Sequence, residues 1–306
     1  MRTIDYTQAL REAASAAGLT AGSGRVADYI PALAEVAPDA FGMAVATVSG
    51  ELYTVGDATT SFSIQSISKV FALAVVMSLD GDAIWKRVGR EPSGTPFNSL
   101  VQLEAERGYP RNPMINAGAL VVTDRLLELT GDAFGVIRGL LRQEAVRPDL
   151  DSDPRMIRSE AENSHRNAAM AHLIASHDNL VNDVAAVLEH YTAQCAIEAS
   201  CADIAVSAGF LARGGVLNSG ESLLTASQTK RLNSVLLTCG NYDAAGEFAY
   251  RVGLPGKSGV GGGILAVIPG TATVCAWSPR LDRTGNSVAA VAALDAFTSV
   301  TGASVF

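Results

Sequence analysis

Four cysteines in 306 residues (Cys195, Cys201, Cys239 and Cys275) are too few for a disulfide framework, and no CxxC pair offers a zinc site. They read as reduced, mostly buried thiols. Lysine is equally scarce. Of 23 basic residues only Lys69, Lys86, Lys230 and Lys257 are lysine, none lies in a basic block, and the formal net charge is −8. That balance excludes nucleic acid as the main partner. No apolar run approaches the roughly 18–20 residues that span a bilayer, the longest being 70–79, so no membrane partner is expected. The opening MRTIDYTQALREAAS has no apolar stretch after its basic residue, so no signal peptide is read and a cytoplasmic location is expected. His165, His172, His177 and His190 show no HExxH spacing or ligand set, so no metal is expected.

What is abundant is apolar. Hydrophobic residues make up 48% and charged residues 18%, a compact chain and not a disordered one. The length suits one large domain or two interleaved lobes.

The periodicity separates into blocks. A first helix is expected from Asp5 or Thr7 to Ala17, stopped by Gly18. Residues 41–48 and 51–56 read as strands around a two-residue turn, Ser49-Gly50. From Ser66 the period becomes helical until Gly81. Helical patterns then cover 117–129, 133–145, 160–175, 180–195, 199–212 and 226–237. Strands return at 263–268 and 273–277 around Pro269-Gly270, and a last helix, 288–300, starts at Asn286 or Ser287. Strands near both ends with helices between them predict an α+β architecture: an antiparallel sheet flanked by helices, with an inserted all-helical lobe. A doubly wound sheet does not fit.

Two motifs carry chemistry. In Ser66-Ile67-Ser68-Lys69, serine and lysine three apart at a helix start share one face. A lysine in a partly apolar pocket near other positive groups loses affinity for its proton and becomes a base toward the serine hydroxyl. The free N–H groups of the helix start suit a developing oxyanion. A second such pair, Ser227 and Lys230, reads as an exposed first turn. The other motif is Lys257-Ser258-Gly259, followed by Val260-Gly261-Gly262-Gly263 and an apolar strand. Such an edge can wall a serine-nucleophile site. It is not a P-loop, because Arg251 stands where glycine is required and a strand follows instead of a helix. The match of 261–266 to a dinucleotide fingerprint means little ahead of a strand.

The order of the two motifs resembles the penicillin-recognising serine hydrolases. A sharper resemblance lies in GRVADYIP at 24–31, FSIQSISK at 62–69, EPSG at 91–94, NPMINAGA at 112–119, CGNYD at 239–243 and VGLPGKSGVGGGI at 252–264. In this order they are similar to the serine-dependent glutaminases, over residues 24 to 290. The resemblance implies a serine β-lactamase/DD-peptidase-like fold and a single glutaminase domain over 1–306. Its lobes would be 1–65 plus 240–306 (sheet and helix) and 66–239 (helical). It further implies a homodimer or homotetramer and no cofactor.

Carried over residue by residue, the pattern makes Ser66 the nucleophile and Lys69 its base. Tyr29, Gln65, Ser66, Asn116, Glu160, Asn167, Tyr191, Tyr242 and the backbone of Val260 become glutamine contacts. The residue types suit the ligand. Glu160 can neutralise the α-ammonium, Asn116 and Asn167 can donate to the α-carboxylate, and Tyr191 or Tyr242 can shuttle a proton. The backbone N–H groups of Ser66 and Val260 would form the oxyanion hole. The chain departs from the pattern at His165 (usually Asp), Asn241 (commonly Met) and Arg213 (Asn), none of them a proposed catalytic group.

Two readings compete with hydrolysis of L-glutamine to L-glutamate and ammonia. A β-lactamase or peptidoglycan peptidase would need export, and the middle helices lack a Ser-Asp-Asn element. Rapid acylation of Ser66 by a penicillin would mark it. A non-catalytic amino-acid-binding module has no use for a base beside a serine, and tight glutamine binding without ammonia release would mark that one.

Overall fold

The computed structural model describes residues 4–94 and 99–306. Its main sheet has five strands: β1 (Gly42–Thr47), β2 (Leu52–Gly56), β3 (Gly256–Ser258), β4 (Gly263–Ile268) and β5 (Ala272–Trp277). They lie in the order β2-β1-β5-β4-β3, and every neighbouring pair is antiparallel. The central pair β1 and β5 joins the two ends of the chain, with Val45 opposite Val274.

Strand alternation sorts the core into two layers. Met43, Val45, Ile264, Ala266, Val274 and Ala276 point to one face, under helices α1 (Tyr6–Gly18) and α10 (Val288–Thr301). Ala44, Leu265, Val267, Cys275 and Trp277 point to the other, where the helical block packs. That block holds α2 (Ser68–Asp80), α3 (Asn116–Thr130), α4 (Ala133–Ala145), α5 (Pro154–Glu162), α6 (His165–Ser176), α7 (Val184–Cys195), α8 (Cys201–Ser207) and α9 (Ala226–Cys239). Helix α2 is apolar on all sides and buried over Ser68 to Met77, which places the serine–lysine motif at the centre of the molecule.

Several local expectations hold. Asp5 caps α1 and Ser287 caps α10, each accepting a backbone N–H. Gly81 ends α2 at φ +60° and Gly131 ends α3 at φ +73°, conformations that favour glycine. Ser227 and Lys230 lie in the exposed first turn of α9 behind a Thr225–Gln228 capping box.

Others need correction. The β1–β2 turn has three residues, 48–50, not two: Thr47 N–H bonds to Glu51 O, and Gly50 N–H to Thr47 O with Gly50 at φ +92°. Ser66 precedes the α-helix, in a 3-10 turn over Gln65–Ile67. The helix expected over 160–175 is two helices. After Glu162, Asn163 N–H closes on Glu160 O, and the Ser164 hydroxyl donates to Ala161 O, so local polar groups end the ladder. The segment 199–212 also breaks, into Cys201–Ser207 and Gly209–Ala212, and α7 begins at Val184 behind an Asp183 cap. Short turns at Pro31–Ala34, Leu100–Ala105 and Ala245–Arg251 had too little period to read.

Gly118 in the first turn of α3 fits only because it has no side chain, since a Cβ there would sit 1.9 Å from the carbonyl oxygen of Asn112. We expect Gly118→Ala to cost about 1–3 kcal/mol by forcing that backbone apart. Thermal unfolding checks this, the expected result being a midpoint lower by several degrees.

Candidate active site

The glycine tract after β3 is pressed against the segment that carries Ser66. A Cβ on Gly259 would meet Ile64 O at 2.7 Å and Ser66 N at 3.3 Å, and one on Gly261 would meet Ser63 O at 2.2 Å. Around this contact Phe62 stacks on Trp277 at 4.9 Å between centroids, and the Trp277 indole N–H donates to Gly261 O at 2.9 Å. Any side chain at 259 or 261 would push the edge strand off the serine. Gln65, just before Ser66, is held at φ +51°, a conformation a non-glycine residue adopts only when its surroundings enforce it. Its side chain is fixed by a chain of hydrogen bonds: Gln65 Nε2 donates to Ser63 Oγ, and Ser63 Oγ to Cys195 O, both at 2.9 Å.

Ser66 lines a cavity of about 440 Å³. Tyr29, Gln65, Asn116, Glu160, Asn167, Tyr191 and Val260 line it too, so eight of the nine residues expected to contact the ligand share one cavity. The ninth, Tyr242, is buried and hydrogen-bonded to Ser66, with its hydroxyl donating to Ser258 O at 3.3 Å. It too has a positive φ, +56°.

Lys69 is buried one turn after Ser66 (1% exposed). Its Nζ donates to Asn116 Oδ1 at 2.7 Å and to Met114 O at 3.2 Å. Burial lowers its pKa from the ordinary 10.5 to about 8, against the opposing pull of Cys195 and Glu160. Asn116, the first residue of α3, does not cap the helix but bridges outward: its Nδ2 donates to Asn167 Oδ1 at 2.9 Å. Burial raises the Glu160 carboxyl, while a hydrogen bond from Gln65 and the charge of Lys69 pull it back down. Its Oε1 is buried and has no hydrogen-bond partner among the described residues. Burial also raises Tyr191 and Tyr242 well above the usual phenol range, so both stay protonated. Tyr191 lies beside Lys69 Nζ, 5.9 Å from its ring centroid.

Some contributors were not assigned from the sequence. Lys257 is buried below Tyr242, its Nζ 4.4 Å from the ring centroid and donating to Gly240 O at 2.8 Å and Ser258 O at 2.6 Å. Ile30, Asn163, Arg166 and Cys195 also line the cavity. Asn163 and Arg166 flank the break between α5 and α6, and a helix run through 160–175 hides that bend. The polar pair Asn163-Ser164 was the available signal. Cys195 is the last residue of α7, and burial pushes its thiol up to about 12, so it is no competing nucleophile at neutral pH. Of the departures, His165 is exposed and does not line the cavity. Arg213 is absorbed by the buried Glu144 at 3.2 Å, and Asn241 is buried against Gly256 O.

A buried serine, a deprotonatable lysine one turn away, a protonated tyrosine on the serine and a buried carboxylate in the cavity wall suit acyl transfer on a small amide that bears an ammonium group. The comparisons agree. The Glutaminase family model matches residues 24–306. A glutaminase of Streptomyces coelicolor is 60% identical over 287 residues, 94% of each chain. Among solved structures, a probable glutaminase, YbaS, superposes with a TM-score of 0.92 at 34% identity over 99% of each chain. Mglu, solved in its Tris and glutamate form, gives 0.91 at 36% identity over all of this chain and 68% of its own. The sheet, helical block and serine–lysine turn form the serine β-lactamase-like architecture of these neighbours, and with the match spanning the chain from Gly24 to its end, the chain belongs to the glutaminase family.

Proposed function

We propose that this glutaminase hydrolyses L-glutamine through a γ-glutamyl ester on Ser66, with neutral Lys69 as the base. The observation that carries the reading is the environment of Lys69: buried, one turn from Ser66, with a pKa near 8. Lys69 takes the Ser66 proton as Oγ adds to the amide carbon. The oxyanion rests on the N–H groups of Ser66 and Val260. Ser66 lies in the first turn of its 3-10 segment, where N–H groups have no partner within the turn. Tyr242, bonded to Ser66 and held protonated by burial, donates to the departing ammonia. Water then releases glutamate by the reverse proton path.

Glu160 holds the α-ammonium: it lines the cavity, and its buried Oε1 has no hydrogen-bond partner among the described residues. Asn116 and Asn167 face the carboxylate. We expect Glu160→Gln to raise KM for L-glutamine about a hundredfold with a smaller change in kcat, because the lost charge pair is felt in ground and transition states alike. Steady-state kinetics checks this; an unchanged KM would remove Glu160 from substrate binding.

Among the described residues no helix is long and apolar enough to cross a membrane. A cytoplasmic location and a homodimer or homotetramer complete the proposal, as does a single domain whose two lobes meet at Ser66. Four free, buried cysteines suit a reducing compartment. Sedimentation of the purified chain gives the assembly state directly.

A further inference from the structure

A second cavity, of about 780 Å³, adjoins the substrate cavity, and Tyr29 and Val260 line both. Tyr29, 53% exposed, stands between them. The far wall of the second cavity is built by two segments that bridge each other: Arg25 N–H donates to Leu281 O at 2.9 Å, and Leu281 N–H to Arg25 O at 2.8 Å. Gly24 permits this contact, as a Cβ there would meet Leu281 O at 2.6 Å. The turn that follows is stiff. Asp282 Oδ1 accepts from Thr284 N–H, Thr284 Oγ1 and Asn286 N–H, at 2.8, 2.7 and 3.1 Å. It is seated on the active centre, because a Cβ on Gly285 would lie 3.5 Å from the Tyr242 ring and 3.9 Å from Val260 Cγ1.

This wall carries charge with no internal role. Arg25 and Arg283 line the cavity, are exposed, and among the described residues neither has an ion pair or a side-chain hydrogen bond. Two carboxylates are nearby. Asp282 is committed to its own turn, and Asp243, exposed, stands on the side nearer Tyr242. Ammonia needs none of this space.

We infer that the second cavity is a leaving-group subsite, so that the enzyme also hydrolyses γ-glutamyl amides of amino acids, with Arg25 and Arg283 receiving the carboxylate of the departing residue. The inference rests on the Ser66 mechanism proposed above. Ser66 Oγ bonds to the γ-carbon, the C–N bond breaks, and the electron pair stays on nitrogen. The nitrogen takes the proton relayed from Ser66 and leaves as a free amino acid; water then cleaves the ester. Two guanidinium groups recognise a carboxylate through charge-assisted hydrogen bonds. Asp243 disfavours a second carboxylate, so γ-glutamyl-glutamate should be a poorer substrate than γ-glutamyl-alanine.

The test compares L-glutamine with γ-L-glutamyl-L-alanine on the purified full chain and on Arg25→Gln/Arg283→Gln, following released ammonia and released alanine. Both substrates should turn over in the parent. In the double variant KM for the dipeptide should rise about tenfold, with KM for L-glutamine within about twofold of the parent. Turnover of L-glutamine with the dipeptide left intact would overturn the subsite and leave the glutaminase mechanism standing. Dipeptide hydrolysis indifferent to the two arginines would also overturn it. Folded protein that hydrolyses neither substrate would overturn both readings.

Discussion

Ser66→Ala should lower kcat for L-glutamine by about 10⁴-fold or more while the protein folds and still binds glutamine. The hydroxyl is the only atom lost. Ser66 is buried at 7% exposure on the wall of a polar cavity, where removing one oxygen opens no apolar void. The turn that holds it is maintained by other groups: Gln65 through Ser63 and Cys195, and the Gly259–Gly261 edge packed against its backbone. Binding should persist because Glu160, Asn116 and Asn167 are untouched. Ammonia release measures the first part and glutamine titration by calorimetry the second. Activity within tenfold of the parent, in a preparation free of wild type, would transfer the nucleophile's role elsewhere. Cys195 is a poor alternative, as its thiol stays protonated until about pH 12.

Lys69→Met should remove turnover to a similar extent, and the parent's kcat/KM should rise with pH through about 8. The sign follows from the role: the base must be neutral, and the neutral fraction grows as pH passes the folded-state pKa. The stability effect has the opposite origin. Unfolded, this amine titrates near 10.5; folded, near 8, so the unfolded chain binds the extra proton between those values. Stability therefore rises from pH 8 to 10.5, and below pH 8 the folded state bears the full burial cost, about 3 kcal/mol. Methionine fills similar volume without that cost but leaves Asn116 Oδ1 and Met114 O without their donor. The unfolding midpoint of Lys69→Met at pH 7 should not fall below that of the parent. An inactive, equally stable variant would mark Lys69 as held there for chemistry, whereas a large loss of stability would make it a structural residue.

Lys257 sharpens the point. It is the second fully buried lysine, its proton affinity lowered first by burial and then by the charge of Lys69. Its Nζ is spent on Gly240 O and Ser258 O, tying α9 to β3 beneath the Tyr242 ring. The two motifs singled out in the sequence thus meet through Tyr242, which contacts Ser66 on one side and Lys257 on the other.

The chain's local physics was legible where period and turn chemistry agree. The short apolar runs of β4 and β5, the longer apolar run of α2, and the glycines closing α2 and α3 each specify an element from residues close in sequence. The serine–lysine spacing and the glycine tract were equally visible, since both are short-range patterns. The α5–α6 break was not, because it depends on Asn163 and Ser164 winning a local competition for backbone groups that a helical period conceals. Other features belong to the tertiary structure alone. A lysine's pKa near 8 comes from its burial among the helices, and the raised Glu160 carboxyl from its burial in the cavity wall. Arg25 and Arg283, far apart in sequence, line one cavity because the Arg25–Leu281 bridge folds one segment back on the other. Residue types and spacings determine which chemistry is available. Desolvation and long-range pairing, which depend on every neighbour at once, decide which groups meet and in what charge state.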